Sequence, residues 1–273
     1  MSILQVSNLR IWDDISGNVL VPNSSFELNP GSCLAIVGES GSGKSLTCKA
    51  IMKLNKKMIR QSGDILFKGV RLDQLTEEEM RRRRGKQLFL ILQNGMRAFD
   101  PTSVIGVHLM ETLVHHFGWS RSETVEKMKQ AMLMVRLKDP IEIMNKYPHQ
   151  LSGGMLQRIM ISLALVLEPD IIIADEPTSA LDTVSKYEVM EQFVRLRENM
   201  GGAMIFVSHD LGIVRKLADD VLVMRKGNIV ERGETSVLFS APKHEYTRFL
   251  ISSHTTLNEH YKMVTGGPLY VNR

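Results

Sequence analysis

Short, almost wholly apolar runs recur along the chain and are separated by longer segments of helical periodicity. The runs lie at residues 33–37, 88–92, 170–174, 203–207 and 221–224. Continuous apolar runs of this length are typical of strands that are buried on both faces of a parallel sheet. Because helical segments separate the later runs, the pattern predicts an α/β fold with a parallel sheet.

Two parts of the chain depart from this alternation. Further strands are predicted near the N-terminus at residues 3–9, 25–28 and 64–68. Residues 104–167 are helical in pattern throughout, with apolar stripes that include Met128, Met132 and Val135. Methionines at this spacing are typical of packed helices. We therefore expect a helical insert within the α/β chain.

Composition and charge indicate an ordinary globular protein. Of the 273 residues, 43% are apolar and 23% are charged, and the net charge is only +4. This balance does not call for nucleic acid or an anionic membrane as a partner. The arginine run in TEEEMRRRRGK follows a capping box of Thr76 and Glu79, and glutamates precede three of its arginines by four residues. That spacing favours a self-paired helix face, and we expect no nucleic-acid partner.

The sequence predicts a cytoplasmic protein. Its first residues lack the pattern of a signal peptide, and no apolar run reaches the length of a membrane span. The two cysteines, Cys33 and Cys48, form no CxxC pair and lie in apolar surroundings, as small buried side chains do in a reducing compartment. Membrane contact would have to come through a partner.

The segment GESGSGKS matches the phosphate-loop motif G-x-x-x-x-G-K-[ST] in full and lies between an apolar strand and a helix. Its glycines let backbone N–H groups curl around a phosphate, and the helix N-terminus favours an anion. Lys44 can reach the β- and γ-phosphates, and the Ser45 hydroxyl can bind Mg²⁺. The predicted nucleotide-binding residues are Gly38, Glu39, Ser40, Gly41, Ser42, Gly43, Lys44 and Ser45.

A second motif, IIIADEP, places two carboxylates at the end of a buried strand. The carboxyl ends of parallel strands face the ligand crevice in open α/β sheets. Asp175 is the predicted Mg²⁺ ligand, and Glu176 is placed to orient and polarise the water that attacks the γ-phosphate. A solvated pair of acids would not explain why both halves of an ATP site occur in one chain.

Three single residues are further candidates. Gln93, after the strand LFLIL, could reach Mg²⁺ or the attacking water, although a glutamine there is usually a cap. His209, after the strand AMIFV, is a catalytic candidate or a structural histidine. Trp12 could stack on a purine ring or pack in the core. Their order relative to the two strong motifs favours the functional interpretations.

The segment LSGGMLQR holds paired glycines at a predicted helix start but no acid, base or metal ligand. In order, the chain shows GESGSGKS, Gln93, LSGGM, IIIADE, SALD and His209. This combination resembles the ATP-binding cassette (ABC) ATPases over residues 3–250. The resemblance implies a P-loop NTPase (RecA-like) core with an N-terminal antiparallel β part and an inserted α-helical subdomain. It implies an ATPase domain at residues 1–250, the helical subdomain at 94–166 and a C-terminal tail at 251–273.

In that family two cassettes pair head to tail, and each ATP lies between the phosphate loop of one and the signature motif of the other. The resemblance therefore assigns Ser152, Gly153 and Gly154 to the ATP held by a partner, and Asp182 to the D-loop. It implies ATP and Mg²⁺ as cofactors, with Mg²⁺ held by Ser45, Gln93 and Asp175. It also implies peripheral attachment at the cytoplasmic face of the bacterial cell membrane.

Finer features resemble the ATPases of the nickel and oligopeptide importer group, namely SGGMLQR, IIADEPTSALD and APKHEYTRFLISSH. ILQNGMRAFDP is similar to the members for nickel and metal chelates. The resemblance implies import of nickel or another transition metal, free or bound to a metallophore, with dipeptide or oligopeptide import as the alternative. The implied partners are a second ABC ATPase as a heterodimer, two membrane permeases and an extracytoplasmic solute-binding protein. A soluble ABC ATPase acting on ribosomes or DNA is the alternative from another class.

Overall fold

The computed structural model of the chain describes residues 1–253, which divide into two compact units. The helical unit comprises Gln74–Ile205 with Met1 and Asn29–Gly31. The phosphate-loop unit comprises Ser2–Leu28, Ser32–Asp73 and the described residues from Phe206 onward. These boundaries differ from the predicted division into residues 1–250 and an insert at 94–166, which stays a prediction.

The elements follow in chain order. Those of the first third are β1 (Leu4–Asp13), β2 (Val19–Leu28), β3 (Cys33–Val37), α1 (Lys44–Ile51), β4 (Ile59–Phe67), β5 (Val70–Arg71), α2 (Glu77–Arg83) and β6 (Leu88–Ile91). The middle contains α3 (Ile105–Phe117), α4 (Arg121–Met134), α5 (Pro140–Met144), α6 (Gly153–Leu167), β7 (Ile171–Asp175) and α7 (Thr183–Asn199). The last part contains β8 (Ala203–Val207), α8 (Leu211–Leu217), β9 (Asp220–Arg225), β10 (Asn228–Glu234), α9 (Thr235–Ser240) and a C-terminal helix at residues 245–253.

The phosphate-loop unit combines antiparallel and parallel pairing. Strands β2, β1, β4 and β5 form an antiparallel sheet in that order, which confirms the expected N-terminal β part. The buried strand β3 pairs in parallel with β9, and β10 pairs antiparallel with β9. Strand β10 was not predicted, because its sequence, NIVERGE, lacks both a continuous apolar run and a strict alternation.

The helical unit contains parallel strands and the predicted helices. Strand β6 pairs in parallel with β7, and β8 neighbours β7, with the unit boundary falling inside β8. Helix α6 packs against α4 and α7, and it buries residues on almost every side. The apolar stripe of Met128, Met132 and Val135 is buried, as predicted. None of the helices in residues 1–253 is long and apolar enough to cross a membrane.

Helix α2 has the predicted capping box but only part of the predicted charge pairing. The Thr76 N–H donates to the Glu79 carboxylate, and the Glu79 N–H donates to Thr76 Oγ1. Arg82 pairs with Glu78 at i, i+4, whereas Glu77 pairs with Arg84. The predicted self-paired face is confirmed by the Glu78–Arg82 pair. Hydrogen bonds from Thr76 and the nearby charge of Arg83, also at i, i+4, lower the pKa of the Glu79 carboxyl.

The predicted tail, residues 251–273, falls mostly outside the described part of the chain. Its first three residues belong to the C-terminal helix. Residues 254–273 lie beyond the described residues.

Candidate nucleotide site

The phosphate loop follows β3 and ends at α1, as its motif requires. Gly38, Gly41 and Gly43 all have positive φ angles, of 150°, 81° and 100°, in a region that favours glycine. Lys44 is buried, and its ammonium group donates to the carbonyl oxygens of Gly38 at 2.8 Å and Glu39 at 2.9 Å. The lysine thus lies folded over the loop, with its charge at the place where a phosphate would be bound.

The residues of this loop fit a bound nucleotide. The Ser42 hydroxyl is buried, and no hydrogen-bond partner for it exists among the described residues. Buried hydroxyls normally have a partner, and a phosphate oxygen would be one. Ser45 is the second residue of α1 and is only partly buried. Its hydroxyl and the Asp175 carboxylate are oxygen donors of the kind that Mg²⁺ prefers.

Gly38→Ala is expected to weaken ATP binding strongly. The Cβ of an alanine there would lie 2.1 Å from the Met224 carbonyl oxygen, so the loop backbone would have to move. Gly31→Ala is the matched control, because Gly31 also has a positive φ angle, of 67°, but has open space around it. We expect an ATP affinity about tenfold or more weaker for Gly38→Ala, measured by titration, since several loop N–H groups would be displaced together. Equal affinities in the two variants would contradict this account.

Two further predicted residues lie in the phosphate-loop unit. Trp12, in β1, is partly exposed, and the Arg10 guanidinium lies 5.7 Å from its ring centroid. His209 is exposed and is the second residue after β8, between Ser208 and Asp210. Ser208 Oγ accepts the Asp210 N–H, and the Asp210 carboxylate caps α8. These bonds fix the backbone on both sides of His209 and leave its imidazole at the surface.

The two carboxylates of IIIADEP differ in their backbone conformation. Asp175, the last residue of β7, is only 5% exposed. Glu176 follows it with a φ of 46°, a left-handed backbone conformation that is uncommon for residues other than glycine. Ser179 holds this turn, because its N–H and its hydroxyl both donate to the Glu176 carbonyl, at 3.2 and 3.1 Å. Strained backbone of this kind is concentrated at functional sites.

Gln93 lies two residues beyond the end of β6 and is exposed. Its amide nitrogen donates to Ser179 Oγ at 2.9 Å. The helical unit therefore brings together Gln93 and the backbone of Glu176, which were both predicted for the hydrolytic centre. Ser179 lies between them and bonds to each. The predicted contacts of Gln93 with Mg²⁺ or the attacking water stay predictions.

The signature segment forms the N-terminus of α6. Ser152 is the N-cap, and its hydroxyl accepts the Met155 N–H at 3.2 Å. Gly153 and Gly154 are the first two helical residues, whose N–H groups have no acceptor within a helix. The geometry therefore presents N–H donors and a positive helix terminus, which suits an anion.

The glycine pair also packs tightly on the residues that follow Glu176. A Cβ at Gly154 would lie 2.9 Å from the Ser185 Cβ, and one at Gly153 would lie 3.0 Å from Leu181. Asp182, the predicted D-loop residue, is the N-cap of α7. The backbone N–H and hydroxyl of Ser185, together with the Val184 N–H, hold the pKa of the Asp182 carboxyl below its ordinary value. A side chain at Gly154 would therefore force α6 and α7 apart, whereas one at Gly153 would meet only the flexible end of Leu181.

Two residues of this network were not predicted as site residues from the sequence. Gln157, one turn into α6, is 1% exposed and donates to the carbonyl oxygens of Leu92 and Gln93 at 2.8 and 3.2 Å. Ser179 connects Gln93 to Glu176. The sequence signal for Gln157 is a polar residue within the apolar stretch of α6, and that for Ser179 is its place at the start of SALD.

Comparisons with known proteins agree on one family. The family model described as ABC transporter matches residues 21–179. The metal-staphylopine import system ATP-binding protein of Staphylococcus aureus is 42% identical over 270 residues, covering 99% of this chain and 100% of that protein. The dipeptide transport ATP-binding protein of Lactococcus lactis is 42% identical over 260 residues, covering 94% and 74%. A solved ATP-binding cassette, bound to ADP and Pi, has a TM-score of 0.74 at 24% identity and covers 85% of this chain and 98% of its own, which shows the fold alone.

The fold and the motifs thus define a P-loop ATPase of the cassette type. The chain belongs to the ABC transporter family. It is an ATP-binding subunit of that family, an ATPase coupled to transport.

Proposed function

We propose that the chain is the ATP-hydrolysing subunit of an importer for transition metals, such as nickel, bound to a metallophore or free. The observation that carries this proposal is the end-to-end match to the metal-staphylopine import ATPase of S. aureus, which covers 99% of one chain and 100% of the other. Import of dipeptides or oligopeptides is the second candidate, because the dipeptide transport relatives are about as similar over the part that they share.

The phosphate loop provides the nucleotide-binding half of the proposed mechanism. Lys44 would exchange its two loop carbonyls for β- and γ-phosphate oxygens, and the loop N–H groups would hold the same phosphates. Ser45, Gln93 and Asp175 would hold Mg²⁺, which when bound neutralises charge on the phosphates. Trp12 would stack on the adenine ring.

Glu176 provides the hydrolytic half. Its carboxylate would orient and polarise the attacking water, and the Gln93–Ser179 contact would fix the backbone that carries it. His209 would donate a hydrogen bond to the γ-phosphate from its place after β8. All of these groups act by positioning and by electrostatics, which suits phosphoryl transfer.

The signature segment completes a site on another cassette. Ser152, Gly153 and Gly154 would donate hydrogen bonds to the γ-phosphate held by a partner ATPase, and Asp182 would lie at the same interface. Closing this interface excludes water, so each donor would count for more than in solution. We infer a heterodimer with a sibling ATPase.

The remaining partners follow from the same assignment. Two permease subunits would form the membrane path, and an extracytoplasmic solute-binding protein would deliver the cargo. The chain would bind the permeases peripherally at the cytoplasmic face of the membrane. In this arrangement the ATPase makes no contact with the cargo.

Uptake of labelled cargo tests the proposal. Cells with and without this chain would be offered labelled nickel, cobalt and zinc, each free and chelated, and labelled dipeptides and oligopeptides. We expect loss of uptake of a chelated metal, restored by the wild-type chain but not by Gly38→Ala. A defect confined to peptides would overturn the metal assignment in favour of the second candidate.

A further inference from the structure

The segment PKHEYTR, near the end of the described chain, has no role in the mechanism above. It leads into the C-terminal helix, within the phosphate-loop unit. Tyr246, in the first turn of that helix, is only 3% exposed. Its hydroxyl oxygen accepts the backbone N–H of Glu39 at 2.9 Å. Glu39 is the second residue of the phosphate loop, so a residue more than 200 positions away holds the loop backbone.

The tyrosine ring is itself fixed from the side of β9. The Arg225 guanidinium lies 4.8 Å from the ring centroid, within the range of a cation–π contact. Arg225 follows Met224, whose carbonyl oxygen lies so close to Gly38 that no Cβ fits between them. The end of β9 therefore contacts both the start of the phosphate loop and the tyrosine that holds it. Burial raises the pKa of the Tyr246 phenol above its already high ordinary value, so the hydroxyl group is protonated at neutral pH.

A carboxylate on β10 anchors the start of the same segment. The two oxygens of Glu231 accept the N–H groups of Lys243 and His244 at 2.8 and 2.9 Å. Burial by itself would raise the pKa of the Glu231 carboxyl, but the nearby Thr247 hydroxyl and these two N–H groups lower it overall. The His244 ring in turn accepts the Tyr246 N–H at 3.1 Å. Every step between β10 and the tyrosine is thus a direct hydrogen bond.

We propose that Tyr246 is a positioning residue of the nucleotide site, through which the C-terminal helix holds the phosphate loop in the shape that binds ATP. Without this bond, the loop at Glu39 would have to become ordered when the nucleotide binds, which costs conformational entropy. A loop that is already ordered binds more tightly because binding no longer includes that cost. The inference rests on the proposed role of the phosphate loop and is independent of the cargo. It also gives PKHEYTR a function within the ATPase itself.

Tyr246→Phe tests the proposal, because it removes the hydroxyl and keeps the buried ring. Tyr187→Phe is the matched control, since the Tyr187 side chain is 54% exposed on α7. Affinity of the full-length chain for a fluorescent ATP analogue would be measured together with the melting temperature. We expect Kd to rise about three- to tenfold for Tyr246→Phe, the effect of one lost hydrogen bond, with kcat of the assembled transporter within about twofold of wild type. The control should match wild type in both.

Hydrogen exchange distinguishes a local loss of order in the phosphate loop from a general loss of stability. The Glu39 amide should exchange faster in Tyr246→Phe, while amides in β3 keep their protection. Unchanged Kd in Tyr246→Phe, or a lowered melting temperature without a change in Kd, would overturn the proposal. Failure of the wild-type chain to bind the analogue would instead refute the proposed role of the phosphate loop.

A second variant tests the anchoring carboxylate. Glu231→Gln keeps the shape of the side chain but weakens its hold on the Lys243 and His244 N–H groups. We expect Kd for ATP to rise, as it does in Tyr246→Phe. The Kd of the double variant should equal that of Tyr246→Phe alone, because Glu231 acts on the loop through the tyrosine. Independent, multiplicative effects on Kd would contradict this connection.

Discussion

Glu176→Gln is expected to abolish ATP turnover while leaving binding of MgATP intact. The substitution removes the negative charge that polarises the attacking water, and a general base of this kind contributes about 100- to 10,000-fold to the rate. The substitution leaves the sequence of the phosphate loop unchanged. Because ATP would then bind without being hydrolysed, cassette pairs should accumulate in the closed state.

The geometry supplies a control for this variant. Glu168 ends α6 with a φ of 46°, the same left-handed conformation as Glu176, and its side chain is exposed. Glu168→Gln therefore makes the same chemical change in the same backbone conformation, and we expect normal turnover. Phosphate release would be measured for both variants alongside ATP affinity. Turnover near the wild-type rate in Glu176→Gln would remove Glu176 from its proposed role.

Gly153→Asp is expected to stop hydrolysis at the partner's site and to leave ATP binding at the chain's own phosphate loop within about twofold. A carboxylate at the first position of α6 would oppose the positive helix terminus and the γ-phosphate that it is proposed to bind. Loss of a donor aimed at developing charge costs about 100- to 1,000-fold in rate, and a repelling charge would add to that loss. The added Cβ would lie 3.0 Å from the flexible end of Leu181, so the fold can adapt.

Gly153→Asn separates the effect of the added charge in Gly153→Asp from the effect of the added side-chain volume. Asparagine has nearly the shape of aspartate but no charge, so it should retain more activity than Gly153→Asp. Turnover of the assembled transporter and ATP affinity of the isolated chain would be measured for both variants. If Gly153→Asp weakened the isolated chain's own ATP binding as much as its turnover, the segment would be structural and would not act on a partner's nucleotide.

Sequence patterns predicted those parts of the chain that depend on local chemistry. The bounds of the buried strands β3 and β8 were predicted to the residue, because a run of five apolar residues is typical of a strand buried on both faces. The phosphate loop, Asp175 and Glu176 were predicted as site residues because their spacing follows from phosphate and metal chemistry. The capping box of α2 was predicted for the same reason, since both of its bonds lie within four residues.

Features that depend on distant contacts were not predicted. Tyr246 and Glu39 are joined by one hydrogen bond across a separation of 207 residues, which no local pattern encodes. Gln157 resembles a surface residue in the sequence, yet it is buried against the backbone of Leu92 and Gln93. The left-handed conformation of Glu176 could not be predicted from the sequence either, because it is imposed by Ser179 and the turn that follows β7. In each case tertiary contacts decide the role of the residue.

The central claim is that the chain holds half of an ATP site whose other half lies on another cassette. ATP turnover per chain, measured for the isolated monomer and for the assembled transporter at the same saturating MgATP concentration, tests this most directly. Light scattering would establish that the isolated chain is monomeric. The account predicts that the monomer binds ATP but turns it over about 100-fold more slowly than the assembly, because it lacks the donors of a partner's signature segment. Equal turnover in the verified monomer would contradict it.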